Sequence, residues 1–131
     1  MGWYKRLKFA GVPSQAAITH AAGAANIVNV TFTVKDGRGV TLTDYPTSFH
    51  VWTSNAADGT GVNATADTIT ASVGSVRSIL TAGADLLVQT DTNGVVTLVV
   101  TDAGKAENYI CADFGTGTLS IHKFVTADYG A

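Results

Sequence analysis

Between Val28 and Lys35 the side chains change character at every step. Val28, Val30, Phe32 and Val34 are apolar, whereas Asn29, Thr31, Thr33 and Lys35 are polar. In an extended chain successive side chains point to opposite faces, so this order puts the first set against a core and the second in water. The run stops at Asp36-Gly37-Arg38-Gly39, where glycine permits the positive φ of a tight turn. This segment is therefore a half-buried strand, and it sets the terms for the rest of the chain.

The same reading extends onward. Val40-Thr41-Leu42 continues briefly before Asp44-Tyr45-Pro46 breaks it. Ser48–Thr53 is predicted as a strand with Phe49 and Val51 on one side and His50 and Trp52 on the other, bulky enough for both sides to be partly covered. Residues 54–67 form a long loop of small residues, expected at one end of the domain. Strands follow at Thr68–Val73 and Val76–Leu80, punctuated by Gly74 and Gly83, and at Leu86–Thr90. Asp91-Thr92-Asn93-Gly94 is a turn, and Val95–Thr101 is a Val/Leu/Thr run of high β propensity. Asn108–Phe114 and Thr118–Val125 are joined by Gly115-Thr116-Gly117 as a hairpin. Seven to nine short strands with regular turn signals, and no sustained helical period, predict a sandwich or barrel; there is no room for the crossover helices of a parallel fold.

A chain of 131 residues is one domain by size. We divide it into an arm over 1–25, a sandwich over 26–125 and a tail over 126–131. In the arm, Trp3, Tyr4, Leu7 and Phe9 interleave with Lys5, Arg6 and Lys8, without an acid. Such residues either cover the body's own core edge or dock on a partner. Residues 14–25, polar and Ala-rich, fit a short helix or an extended linker. The remaining 106 positions hold five basic and ten acidic residues, so a basic arm precedes an acidic body. Nucleic-acid binders concentrate positive charge on the domain itself, and an acidic body would repel phosphate. Charged residues are 14% of the chain, against about 25% in an average domain. A surface so poor in charge suits packing against other proteins, as well as Thr-rich exposed β faces. The single Cys111 cannot form an internal disulfide, no run reaches the length of a membrane span, and the N-terminal candidates for a signal peptide are interrupted by polar residues. The expectation is a chain folded in a cytoplasm.

No arrangement of reactive groups stands out. His20, His50 and His122 lie in separate segments without a second ligand at short spacing, which argues against zinc. Asp36, Asp58, Asp91 and Asp102 sit in turns, where their carboxylates serve turn geometry. Asp91-x-Asn93 lacks the further oxygen ligands of a calcium loop. No hydroxyl occupies a nucleophile elbow, and neither Gly-Thr-Gly piece leads into a phosphate-binding Gly-Lys-Ser/Thr. The expectation is a protein without catalytic residues, metal or cofactor. Trp52 is read either as an inward core residue or as a stacking platform for a sugar ring.

Two segments carry a resemblance. Val30–Val40 (VTFTVKDGRGV) resembles the opening strand and turn of bacterial Ig-like domains of the invasin and intimin type, and Asp91–Thr101 (DTNGVVTLVVT) is similar to a D-x-N-G strand segment of the same family. Asp102–Ala112 fits the family's loop and following strand, so the likeness covers roughly residues 27–125. It departs at Val96, where the family has a small residue, in the missing proline after the first turn, in the 54–67 loop and in the arm. Tyr109-x-Cys111 looks like the tyrosine-corner position of immunoglobulin domains, which implies core roles for both. The resemblance implies an immunoglobulin-like antiparallel β-sandwich, to which residues 1–25 add an N-terminal extended arm. Single domains of this kind look like those on tailed-phage virions. The function so implied is a non-enzymatic virion structural protein, most concretely a capsid decoration or cement protein. Trp3, Tyr4, Lys5, Arg6, Leu7, Lys8 and Phe9 would dock on the major capsid protein or another virion subunit. Self-association on the shell, and no role for nucleic acid or membrane, go with this reading. The alternative is a cell-surface adhesion or glycan-binding module.

Overall fold

The alternation read from Val28–Val34 is the inner face of a β-sandwich. The computed structural model describes residues 11–131. Its strands are β1 (Gln15–Ala22), β2 (Ile27–Lys35), β3 (Ser48–Ser54), β4 (Thr68–Val73), β5 (Ser75–Thr81), β6 (Asp85–Gln89), β7 (Val95–Thr101), β8 (Asn108–Asp113) and β9 (Ser120–Phe124), followed by a 3-10 turn at Thr126–Asp128. They form two antiparallel sheets, one ordered β1-β2-β7-β4 and the other β5-β6-β3-β8-β9. The protein is an all-β, immunoglobulin-like sandwich.

Inward residues of both sheets meet in one core. Val28, Val30, Phe32 and Val34 of β2 and Val96, Leu98 and Val100 of β7 face Phe49 and Val51 of β3, Leu86 and Val88 of β6, and Ile110 and Ala112 of β8. Phe32 and Phe49 touch across the gap, with ring centroids 5.8 Å apart. Each of these side chains is removed from water, which stabilises the fold by about 1.5–3 kcal/mol per large residue.

Nine strands are also the count of the variable-type immunoglobulin sandwich, but here the middle of the chain takes a different route. It leaves β3 for the opposite sheet at β4, then turns at Gly74 into β5 and returns through β6 to pair with β3. Gly74 makes the corner with φ of 72°, and a Cβ there would stand 2.5 Å from the Gln89 carbonyl oxygen. Strands that switch sheets bend at such corners.

Two boundaries differ from the sequence reading. Residues 15–22, read as part of the arm, form β1, which pairs with β2 from Gln15↔Lys35 to Ala22↔Val28. Its inward residues are Ala16, Ile18 and His20, so small and polar side chains hid the alternation. Residues 126–131, read as a tail, are docked: Tyr129 is buried against Phe124, and Gly130 exchanges backbone hydrogen bonds with Asn26 and Ile27. The arm residues Trp3, Tyr4, Lys5, Arg6, Leu7, Lys8 and Phe9 lie outside the described residues.

Candidate interaction surfaces

The registers sort the connections onto two ends. At one end lie the start of β1, the 36–47 connection, the 90–94 turn and the 114–119 turn; at the other lie the 55–67 loop, the 102–107 loop and the C-terminal residues. The chain joins the first end at a fixed point. Gly11 N–H donates to Asp36 Oδ2 at 3.2 Å, Ser14 N–H donates to the Lys35 carbonyl, and Gln15 Nε2 donates to the Asp36 carbonyl. Asp36 is fully buried and also accepts from Arg38 and from the Val40 N–H. Burial pushes its carboxyl up, but the Arg38 guanidinium and the N–H groups of Val40, Gly11 and Arg38 outweigh that and hold it well below the usual carboxylate range. Around this root Val12, Val40 and Tyr45 are exposed at 43%, 49% and 59%.

The outer face of the five-stranded sheet is covered by its own loop. Trp52 points away from the sandwich core yet is only 9% exposed, because Nε1 donates to the Gly59 carbonyl and the loop folds back over the indole. Ser54 Oγ donates to the Thr60 carbonyl and Thr53 Oγ1 to the Asn63 carbonyl, fastening the loop. Cys111 lies beneath Gly59 with Leu119 and Ile121, and burial, aided by Asp58, pushes its thiol up to about 11. A thiol so held is neutral and slow to react. Trp52 is thus buried but belongs to this second, smaller packing layer, and its face is not free to stack on a sugar. Tyr109 does not take a tyrosine-corner role either: it is half-buried on the outer face with the Lys123 ammonium 5.5 Å from its ring centroid. The buried tyrosine tied to a backbone carbonyl is Tyr129, whose hydroxyl donates to Ala106.

Beside the loop, Asn55, Glu107, Asn108, Tyr109 and Lys123 line a polar cleft of about 260 Å³. On the same face His50 Nε2 meets Asp85 Oδ1, and the His50 ring packs on Trp52 with centroids 4.7 Å apart. Among the described residues no hydroxyl or thiol hydrogen-bonds to this dyad. Among the described residues no group of three or more His, Cys, Asp or Glu side chains is placed to hold a metal ion, and no helix is long and apolar enough to cross a membrane. The fold does bring together two of the scattered histidines, which the sequence reading missed: His20 Nδ1 and His122 Nε2 are 2.6 Å apart, although 102 positions separate them. The contact arises where the edge strands of the two sheets, β1 and β9, face each other across the sandwich.

A small sandwich with a pinned chain root at one end and a sealed loop on one face is the class of molecule these features define. No family model matches the chain, and comparisons with curated proteins and with solved structures found no match.

Proposed function

We propose that this protein is a non-enzymatic structural component of a phage virion, a capsid decoration or cement protein that docks on the major capsid protein through its N-terminal residues. The observation that carries the reading is the geometry of the chain root. Gly11 is held by buried Asp36 at the sandwich end where Val12, Val40 and Tyr45 stand in solvent. In the sequence the aromatic and basic residues Trp3–Phe9 shortly precede that root, which supports an attachment role for this end of the sandwich. Four large apolar side chains offer several kcal/mol of burial at about 25 cal/mol per Å², before ordering costs, and many copies on a symmetric shell add avidity. The bound sandwich would project its opposite end, with the 55–67 and 102–107 loops, outward.

The test is co-sedimentation with purified capsid shells of the phage whose genome encodes the chain. The full chain is expected to pellet with shells to saturation. A form beginning at Gly11 is expected to keep the same circular dichroism spectrum and stay in the supernatant. Equal binding by both forms would overturn the docking role of residues 3–9.

The polar cleft favours a second reading, an adhesion or glycan-binding module, because it sets an aromatic ring beside amide, carboxylate and ammonium groups. A glycan-array signal lost in Tyr109→Ala but kept in the form lacking residues 1–10 would favour it.

A further inference from the structure

β1 and β9 belong to different sheets, yet their inward side chains meet along the open margin of the sandwich. They share no backbone ladder. Three contacts close the seam: Ala16 N–H donates to Ser120 Oγ at 3.0 Å, Thr116 Oγ1 donates to the Ser14 carbonyl at 3.3 Å, and His20 meets His122. The histidines form the end of a relay. His20 Nδ1 faces His122 Nε2, while His20 Nε2 lies 3.1 Å from Asp128 Oδ1, and Asp128 Oδ2 accepts the Val125 N–H at 2.7 Å.

Proton counting decides what this contact tolerates. When both rings are neutral, His20 holds its proton on Nε2 toward Asp128, and its Nδ1 lone pair accepts from the His122 Nε2–H. One added proton also fits: His20 then donates from both nitrogens, to Asp128 and to His122, and the carboxylate balances the charge. A second added proton puts N–H groups on both facing nitrogens, with no acceptor between them and two positive charges in contact. We propose that the His20–His122 contact is a proton-operated latch, closed at neutral pH and forced open when both imidazoles are protonated, so that β1 separates from β9.

Among the described residues no other charge changes this count. On β9 Lys123 lies over Tyr109 on the outer face. On β8 Asp113 and Tyr109 also point outward, away from the seam. The inward neighbours of His20 on β2 are Val28, Val30 and Phe32, and Lys35 and Arg38 are at the far end. In the 102–107 loop Asp102 accepts from its own Gly104 and Ala106 N–H groups, Glu107 lines the outer cleft, and Lys105 contributes its carbonyl to Thr126. Tyr129, beside Asp128, is held neutral by burial, with Asp102 adding to the effect.

Burial and the neighbouring His20 hold His122 below the ordinary histidine value of 6.5, outweighing the opposite pull of Asp128. Once the seam opens, His122 returns toward that value, so the open form binds more protons. The closed form is therefore favoured above about pH 6.5 and loses ground as pH falls below it. Asp128 is held below the carboxylate range, first by the Val125 N–H and then, against burial, by His20, so it keeps its charge through this window. Because residues 11–14 link β1 to residues 1–10, opening the seam would also release one contact of the root of the proposed anchor, the Thr116 Oγ1 bond to the Ser14 carbonyl. That consequence rests on the docking reading; the latch does not.

Hydrogen exchange at pH 7.0 and 5.0, corrected for intrinsic rates, tests the proposal on the full chain. In the wild type, protection of β1 is expected to fall at least about tenfold relative to β7 between the two pH values. In His122→Phe, which removes the second charge, the fall should vanish. Unchanged β1 protection in the wild type, or an equal fall in the variant, would overturn the latch. Should the variant not fold, the ring signals of the wild type decide. A His122 titration well below 6.5 that moves together with β1 amides supports it, and a titration at or above 6.5 overturns it. Shell binding is read separately, so the latch and the docking reading can fail independently.

Discussion

Asp36, Asp91 and Asp102 each bend the chain in the same way. In each case the carboxylate accepts N–H groups from the residues two and four positions later, while the residue three positions later donates to the aspartate carbonyl. That third position takes a positive φ: 82° at Gly39, 75° at Gly94 and 50° at Lys105. The first two turns use glycine, for which this conformation is free, whereas a side chain there is strained by about 1–2 kcal/mol. Lys105→Gly should therefore stabilise the protein, by up to about 1 kcal/mol once the added freedom of the unfolded chain is offset. A higher urea midpoint with unchanged slope would register it, and a lower midpoint would show that the Lys105 side chain contributes packing. The aspartates were legible as turn residues in the sequence, because a short carboxylate and the N–H groups it binds lie within five positions of each other. In Asp-Thr-Asn-Gly only the glycine takes the positive φ.

Strands with a dry face were legible wherever large apolar residues alternate, as in β2, β3 and β7. β1 was not, because an edge strand at the margin needs only Ala16, Ile18 and His20 on its inner side, and alanine carries little β signal. The β4–β5 pair was read as two strands, but that they lie in different sheets was not. That crossing depends on the corner at Gly74, where φ is positive and a Cβ would meet the carbonyl oxygens of Gln89 and Val95. Gly74→Ala is expected to cost about 2 kcal/mol or more, through strain and through displacement of backbone that has no room to move. Urea unfolding followed by tryptophan fluorescence measures the loss. A near-neutral result would mean that the corner can be relaxed by a local shift. β5, at the edge of its sheet, exposes Ile79 and Leu80, but register shifts at Val76/Ser78 and Ile79/Thr81 twist it. Such bulges discourage edge-to-edge pairing of copies.

Both β1 and the C-terminal residues matter to the closed sandwich. The C-terminal residues pack on the start of β2 and brace the 102–107 loop through the Tyr129 hydroxyl, 2.9 Å from the Ala106 carbonyl. Tyr129→Phe should lower stability by about 1 kcal/mol, since it removes one hydrogen bond and leaves a partly buried carbonyl without it. Calorimetry would show it as a fall in Tm of a few degrees, and an unchanged Tm would indicate that water replaces the hydroxyl. The margin between β1 and β9, closed without a backbone ladder, is where proton binding can act on the assembled body, while the opposite margin is closed covalently through Gly74.

Neighbouring residues were enough to specify the in-and-out parity of Val28–Val34 and Val95–Thr101, the three aspartate turns and the all-β class, while the choice between sandwich and barrel was left open. Period and turn chemistry act over a few bonds, so their free energy is present in any local window. Other features needed distant parts of the chain to meet: β1 beside β2, the sheet change between β4 and β5, the loop lid over Trp52 and Cys111, and the meeting of His20 with His122. Each of those is stabilised by a contact whose two halves lie far apart along the chain. Its energy exists only after both sheets have formed and faced each other.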